Sequence, residues 1–206
     1  LLLIIIVFQP ELRRFLERIG ASTILFSPLI AKQDSQNTII IQQLLKAIKR
    51  LSKENIGALL VIENFNNLTE YFDSGVKIEG DITDDLLVSL FWPGTPTHDG
   101  AVMIRSNKIE AAGCLLPLSK ASLPDRRMGT RHRAALGLSE VSDALIIVVS
   151  EETGMISLVE HETMLNHLDL EDVETRLFNL CQSPSPESNS ILYFFKKFFL
   201  RRPHLS

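Results

Sequence analysis

Two uninterrupted apolar runs, Ala58 to Ile62 and Ala144 to Val149, constrain the fold of this chain more than any other feature. Neither has the polar positions every third or fourth residue that a surface helix needs. Both have strand length, so each reads as a strand buried on both faces. Such strands need helices to cover them, and the sequence supplies candidates. From about Asn37 to Leu51, the residues Ile41, Leu44, Leu45, Ile48 and Leu51 share one helical face, and Lys46, Lys49 and Arg50 lie on the other. Leu86, Leu87, Leu90 and Phe91 mark a second helix, capped by Asp81 or Thr83 and closed by Pro93 and Gly94. Residues near Thr130 to Ser139 form a third, and Leu170, Val173, Leu177 and Leu180 mark a last one. Ala101 to Ile104, a Ser106-Asn107 turn and Ile109 to Leu116 read as a strand hairpin, and Thr153-Gly154 turns into a strand over Met155 to Val159. Strands and helices alternate without a repeat period. The expected fold is α/β, a single domain with a central mixed β-sheet flanked by helices.

The 206 residues are 45% hydrophobic and 22% charged, enough for a packed core and inconsistent with disorder as the main state. A net charge of −4 argues against a broad nucleic-acid surface, which draws on an excess of Lys and Arg, so no nucleic-acid partner is expected. A local basic site for a small phosphorylated ligand is compatible with it. Cys114 and Cys181 lie far apart without CxxC spacing, which excludes a disulfide framework or a structural zinc cluster and makes a reducing cytoplasm the default. Cys114 itself reads as a small core residue, and Trp92, beside Pro93, as a packing anchor. The opening run Leu1 to Phe8 is too short to span a bilayer, and reads either as an internal strand or as the end of a membrane helix. Pro10 then opens a short helix carrying Leu12, Phe15, Leu16 and Ile19, stopped by Gly20, and a polar connector leads to the next helix. After Cys181, Ser183-Pro184-Ser185-Pro186 begins a tail with Phe194 to Phe199, Arg201 and Arg202. That tail reads as folding back on the domain, ahead of the alternative of a basic aromatic segment on an anionic membrane.

The common nucleotide and hydrolase signatures are absent from the sequence: no GxxxxGK[ST], GxGxxG after a strand, HExxH or GxSxG. What remains is polar residues at the ends of expected buried strands, where open α/β sheets gather ligands. Thr97-His98-Asp99-Gly100-Ala101 enters one strand, Gly129-Thr130-Arg131-His132-Arg133 opens a helix, and Ser150-Glu151-Glu152-Thr153-Gly154 leaves another. Free N–H groups at a helix start, with two guanidinium forks, suit phosphate oxygens. Gly100 beside Asp99 would let backbone approach a flat ring or sugar. His98 with Glu151 and Glu152 offers nitrogen and oxygen donors for a divalent ion. Each feature alone has a plainer reading: arginines paired to surface carboxylates, a turn at Asp-Gly, a surface histidine, a solvated pair of glutamates. The case rests on their co-occurrence. For His132, orienting an arginine, binding phosphate and filling a helix start all stay open, and Glu63 at the end of a buried strand is an unexpected carboxylate.

Six ordered segments together resemble the diadenylate cyclase domain. They are Gly57-Ala-Leu-Leu-Val-Ile-Glu63, His98-Asp-Gly-Ala101, Leu116-Pro-Leu-Ser119, Gly129-Thr-Arg-His-Arg-Ala-Ala-Leu-Gly137, Ser142-Asp143 and Val149-Ser-Glu-Glu-Thr-Gly154. The match is close over roughly residues 57 to 160, and Phe8-Gln-Pro-Glu-Leu-Arg13 resembles the membrane-anchored class of these cyclases. The resemblance implies condensation of two ATP into cyclic di-AMP with release of two pyrophosphates, aided by a divalent metal, Mg2+, Mn2+ or Co2+. It implies that Asp99 assists deprotonation of the ribose 3'-hydroxyl and that Arg131 and His132 serve catalysis. Gly100 and Ala101 would line the nucleoside pocket, and the backbone at Leu116 would read adenine. Thr130, Arg131 and Ser150 would hold the phosphates, Glu151 would be a further substrate-binding residue, and Arg133 would serve phosphate or structure. His98 and Glu152 would be the metal ligands. Because one pocket holds one ATP and the ring needs two reciprocal attacks, a face-to-face homodimer is implied. A membrane-bound regulatory protein is a further expected partner. The full-length protein is expected at the cell membrane with its catalytic domain cytoplasmic, and the chain itself is expected to be soluble. The corresponding divisions are residues 1–20 membrane-proximal with the first helix, 21–165 catalytic domain, 166–182 C-terminal helix and 183–206 tail. One departure stands out: relatives often carry an aromatic residue where this chain has Leu115, so adenine is expected to be held more loosely or by other apolar contacts, with the chemistry retained.

Overall fold

The structure is a computed structural model that describes residues 27–120 and 128–182, with side chains over 36–120 and 128–181. The opening apolar run, the Pro10 helix and the tail after Gln182 lie outside the described residues. The chain divides into two units, residues 1–36 and 37–206, and the architecture below is that of the second.

Helix α1 spans Ser27–Lys53, so the expected polar connector before Asn37 is already helical from Ser27. It is followed by β1 (Ala58–Ile62), a single turn α2 (Thr69–Phe72), β2 (Val76–Asp81), α3 (Asp84–Phe91), β3 (Ala101–Arg105) and β4 (Lys108–Cys114). Then come α4 (Thr130–Ser139), β5 (Leu145–Val149), β6 (Ile156–Glu160), β7 (Thr163–Leu168) and α5 (Leu170–Gln182). The seven strands form one sheet in the order β2-β4-β3-β1-β5-β6-β7. Only β1 and β3 run parallel; every other pairing is antiparallel, giving the mixed sheet expected.

Alternation along the central strands assigns the two faces. Ala58 and Leu60 of β1, with Leu145, Ile147 and Val149 of β5, face the layer built by Ile41, Leu44, Ile48 and Leu51 of α1, Leu87 and Phe91 of α3, and Val173 and Leu177 of α5. Leu59, Val61, Ile146 and Val148 face a second layer with Ala134, Ala135 and Leu138 of α4. Period-two burial on both faces explains why these strands read as continuous apolar runs. Cys114 closes the second layer, and burial pushes its thiol up to about 11.

Local signals settle the boundaries. Of the two candidate caps, Thr83 is the one used, its Oγ1 accepting from Leu86 N at 3.3 Å. Ser106 and Asn107 both take positive φ, 48° and 65°, the geometry of a two-residue hairpin turn. Glu63 is explained by Arg105, whose Nε and Nη2 donate to its two oxygens at 2.5 and 2.7 Å while Leu68 N donates at 2.8 Å. Arg105 also lies 4.2 Å over the Phe72 ring. Three elements were not foreseen: α2, the edge strand β2 and the edge strand β7. Because β7 continues to Leu168, the last helix begins at Leu170 rather than at 166. Trp92 is 45% exposed after the end of α3, so it does not act as the expected packing anchor.

Gly137 gives a test of the packing between α4 and the Leu116 to Ser119 segment. A Cβ there would overlap Pro117 O and lie 2.7 Å from Ser119 N. Helix preference favours alanine by about 1 kcal/mol, whereas overpacking costs about 1–3 kcal/mol. Gly137→Ala is therefore expected to lower the urea midpoint. A raised midpoint would mean that the segment simply moves aside.

Candidate active site

Pairing of β1 between β3 and β5 carries three polar segments to one end of the sheet. Ala58 is opposite Val149, so Gly57, ahead of β1, lies beside the Ser150 to Gly154 turn that follows β5. Parallel pairing of β1 with β3 brings the His98 to Gly100 approach to the same end. The N-terminus of α4 is joined to both by Arg131, whose Nη1 donates to Glu151 Oε2 at 2.6 Å and whose Nη2 donates to the His98 carbonyl at 3.3 Å. The Arg131 Nε–H is buried and has no hydrogen-bond partner among the described residues. A buried charged donor left without an acceptor is a group prepared for an anion.

Gly129, Thr130, Arg131, His132, Val149, Ser150, Glu151 and Glu152 line a cleft open to solvent. Gly129 is the N-cap of α4 and makes no side-chain cap, so the first N–H groups of the helix face this cleft end with no capping oxygen. The turn that forms the other wall is held from within and from behind. Gly154 N donates to Ser150 O at 2.9 Å, Thr153 N to Ser150 Oγ at 3.4 Å, and Ser52 Oγ, on the last turn of α1, to Gly154 O at 2.6 Å. His132 and Ser150, both buried, also face a neighbouring cleft with Met128, Ser157 and Asn166.

Asp99 is exposed and bonded to no side chain or backbone group among the described residues, so its carboxylate is available to a ligand. The loop before it is wound on itself: Thr97 Oγ1 donates to Leu90 O at 2.9 Å and His98 Nδ1 lies 2.5 Å from Thr95 O. A carbonyl can only accept, so in the neutral imidazole Nδ1 carries the proton and Nε2 keeps its lone pair, the state in which histidine binds metal. The Glu152 carboxylate is exposed and offers oxygen donors of its own. No group of three or more His, Cys, Asp or Glu side chains gathers among the described residues. Phosphate and water oxygens would therefore have to complete any coordination shell, as is usual for Mg2+ sites.

Two expectations change in kind. The space beside Gly100 is filled by protein: its φ is +106°, and a Cβ would lie 2.6 Å from Gly113 C and 2.8 Å from Cys114 O. Glycine is thus required for the close approach of this loop to β4, not to admit a ring or sugar at that point. Ala101 is fully buried in the second core layer, so its side chain does not line a pocket and only its backbone can face a ligand. Arg133 is exposed and does not line the Gly129 to Glu152 cleft; its carbonyl accepts from Ser119 N at 3.0 Å. Leu116 is half-buried against the second layer, and Leu115 is 70% exposed. Sequence reasoning missed the supports, Ser52 behind Gly154 and Gly57 beneath Arg131. For Gly57 a signal existed, a glycine directly before a buried strand.

No helix among the described residues is long and apolar enough to cross a membrane. Residues 45–164 match the family model described as DAC, DisA bacterial checkpoint controller nucleotide-binding. Over 176 residues the chain is 42% identical to the cyclic di-AMP synthase CdaA of Bacillus subtilis, covering 85% of this chain and 64% of that protein. The chain thus spans somewhat less than two thirds of that relative's length. A crystal structure of DacA from Staphylococcus aureus, a double-cysteine variant, is similar with a TM-score of 0.69 at 40% identity, covering 71% of this chain and 97% of that one. A structure described as a hypothetical membrane spanning protein from Bacillus cereus matches with a TM-score of 0.59 at 44% identity, over 62% of this chain and 63% of that one.

Burial, and then the neighbouring Arg131 charge, hold the His132 imidazole below the ordinary histidine value, against a smaller opposite pull from Glu152. The fold thus keeps His132 neutral while the unfolded chain takes up a proton near the usual value of about 6.5. Its contribution to stability is full above that value and is lost as pH falls through it toward the lower folded value. Urea midpoints followed from about pH 8 to about pH 5 should fall more steeply for the parent than for His132→Gln. Parallel curves would assign the acid sensitivity to other groups.

Proposed function

The chain belongs to the DAC family, the DisA bacterial checkpoint controller nucleotide-binding domain, and on that premise we propose that it is a diadenylate cyclase condensing two ATP into cyclic di-AMP. The observation that carries this reading is the meeting, at one sheet end, of an unengaged carboxylate at Asp99 with a guanidinium at Arg131 whose buried Nε–H lacks an acceptor. Nucleotidyl transfer needs those two things: a group that takes the hydroxyl proton and fixed positive charge for the phosphates.

In the proposed reaction the ribose 3'-hydroxyl gives its proton to Asp99. The 3'-oxygen forms a bond to the α-phosphorus of the second ATP, and the bond from that phosphorus to the bridging oxygen breaks, releasing pyrophosphate. The same exchange in the other direction closes the ring. Arg131, the Thr130 N–H and hydroxyl, and Ser150 hold phosphate oxygens. The negative Glu151 carboxylate would repel phosphate, so its part is to orient Arg131, to which it is bonded. His132, kept neutral by burial, can donate or accept a hydrogen bond beside the phosphates without adding charge. His98 and Glu152 would hold a divalent ion, Mg2+, Mn2+ or Co2+, which when bound neutralises phosphate charge and lowers the hydroxyl pKa. Leu116 backbone would read adenine, with Leu115 and Leu118, both exposed apolar residues, as candidate contacts for the base.

If each chain holds one nucleotide, the two reciprocal attacks require two chains meeting face to face about a two-fold axis. The open form of the cleft agrees with a site completed by a second copy. At the level of the whole protein we place the chain at the membrane through residues preceding α1, with the cyclase domain on the cytoplasmic side where ATP is available. The similarity to the Bacillus cereus structure described as a hypothetical membrane spanning protein supports this placement. A membrane-bound regulator would then have the same anchoring.

The decisive experiment is incubation with ATP and Mn2+ followed by chromatography. The expected product is cyclic di-AMP with two equivalents of pyrophosphate. ADP or AMP alone would make this a phosphohydrolase, and ATP bound but unchanged would make it a silent sensor module. Asp99→Asn should retain ATP binding and form no product; loss of binding together with turnover would make Asp99 a binding residue instead. Specific activity should rise with enzyme concentration through the range in which chains associate, whereas a constant rate for a verified monomer would exclude the two-fold mechanism.

A further inference from the structure

We propose that Gly57 is a positioning residue for this site: the space left by its missing side chain is the seat of the Arg131 guanidinium. The inference deepens the reading above, since it rests on Arg131 as a phosphate ligand.

Gly57 is buried immediately ahead of β1, and its φ is not in the left-handed range, so backbone geometry does not demand glycine there. What demands it is a neighbour. A Cβ built on Gly57 would overlap Arg131 Nη1, lie 2.9 Å from Arg131 Cζ and stand 3.0 Å from Glu151 Cβ. These are its three nearest neighbours, and all belong to the two side chains of one ion pair. The other close-packed glycines differ. At Gly100 and Gly137 a Cβ would strike backbone, at Gly154 the Ser52 carbonyl, and at Gly75 the Ala112 carbonyl along with the buried Cys114 Sγ, so there the chain itself would have to move. At Gly57 the obstacle is the far end of a flexible side chain. A methyl group would evict the guanidinium and leave the strands where they are.

Arg131 is therefore held from three sides. Gly57 is the floor, the Glu151 carboxylate and the His98 carbonyl are the walls, and the Nε–H is left for the ligand. The floor fixes how deep the fork sits, and depth matters because phosphate recognition by a planar guanidinium is sensitive to displacements of about 1 Å. Gly57 would touch no substrate; its effect would pass entirely through Arg131.

A double-substitution cycle with Gly57→Ala and Arg131→Ala tests this, read by binding of α,β-methylene-ATP to the full chain and by thermal melting. Gly57→Ala alone is expected to weaken the analogue by about tenfold or more, the scale of a charge-assisted hydrogen bond. In the Arg131→Ala background the same change should alter binding by less than about twofold, and the melting penalty should largely vanish, as coupled residues require. Parental affinity in Gly57→Ala, or equal losses in both backgrounds, would overturn the proposal. If Gly57→Ala does not fold, a folded double variant supports the seat and an unfolded one refutes it. The underlying reading fails differently, through a parent that binds the analogue yet makes no cyclic dinucleotide from ATP. It also fails through an Arg131→Ala variant that binds like the parent, which would remove the positioning role as well.

Discussion

The register of β1 against β5 is the constraint on which the rest depends. Ala58 opposite Val149 puts the residue before one strand next to the residues after the other, and the parallel partner β3 adds its own entry at that end. Open parallel sheets collect ligands at carboxyl ends. Here the mixed sheet combines the carboxyl end of β5 with the amino ends of β1 and β3. A slip of one residue would exchange the two faces of β1 and separate Gly57 from Arg131, destroying the core and the cleft together.

Most of the central architecture was legible because its signals are local. Uninterrupted apolar strands, one-face helices and the Ser106-Asn107 turn each follow from a few neighbouring residues. The edges were not. Val76 to Asp81 has only Ile78 and Gly80 partly covered and breaks its pairing between Lys77 and Gly80, with Glu79 at a φ of 52°. Thr163 to Leu168 alternates Met164, Asn166 and Leu168 with Thr163, Leu165 and His167, a weak pattern typical of a strand with one half-covered face. Edge strands lack the two-sided burial that makes their central neighbours visible.

The site was legible in its residues and less so in its reasons. Asp99 and Ser150, next to strand ends, and Arg131, at a helix start, lie at one end of the sheet. Gly100 and Ala101 belong to the same motif, yet one serves contact with β4 and the other the core, distinctions that rest on tertiary packing. Glu151 illustrates the same limit. Composition makes it a possible ligand for a cation, whereas its partner is the Arg131 guanidinium, on the helix that precedes β5. Chemistry-bearing side chains can be read from type and spacing, but the residues that hold them become apparent only when distant segments meet.

The proposed site draws on positions before β1, before β3, at the start of α4 and after β5, and the sheet order means no shorter stretch contains it. A growing chain emerging from the ribosome would accordingly have nowhere to lodge a nucleotide until β5 has cleared the exit channel and closed against β1, a late, long-range step. Ligand binding would then reward only the completed protomer, never a half-made one.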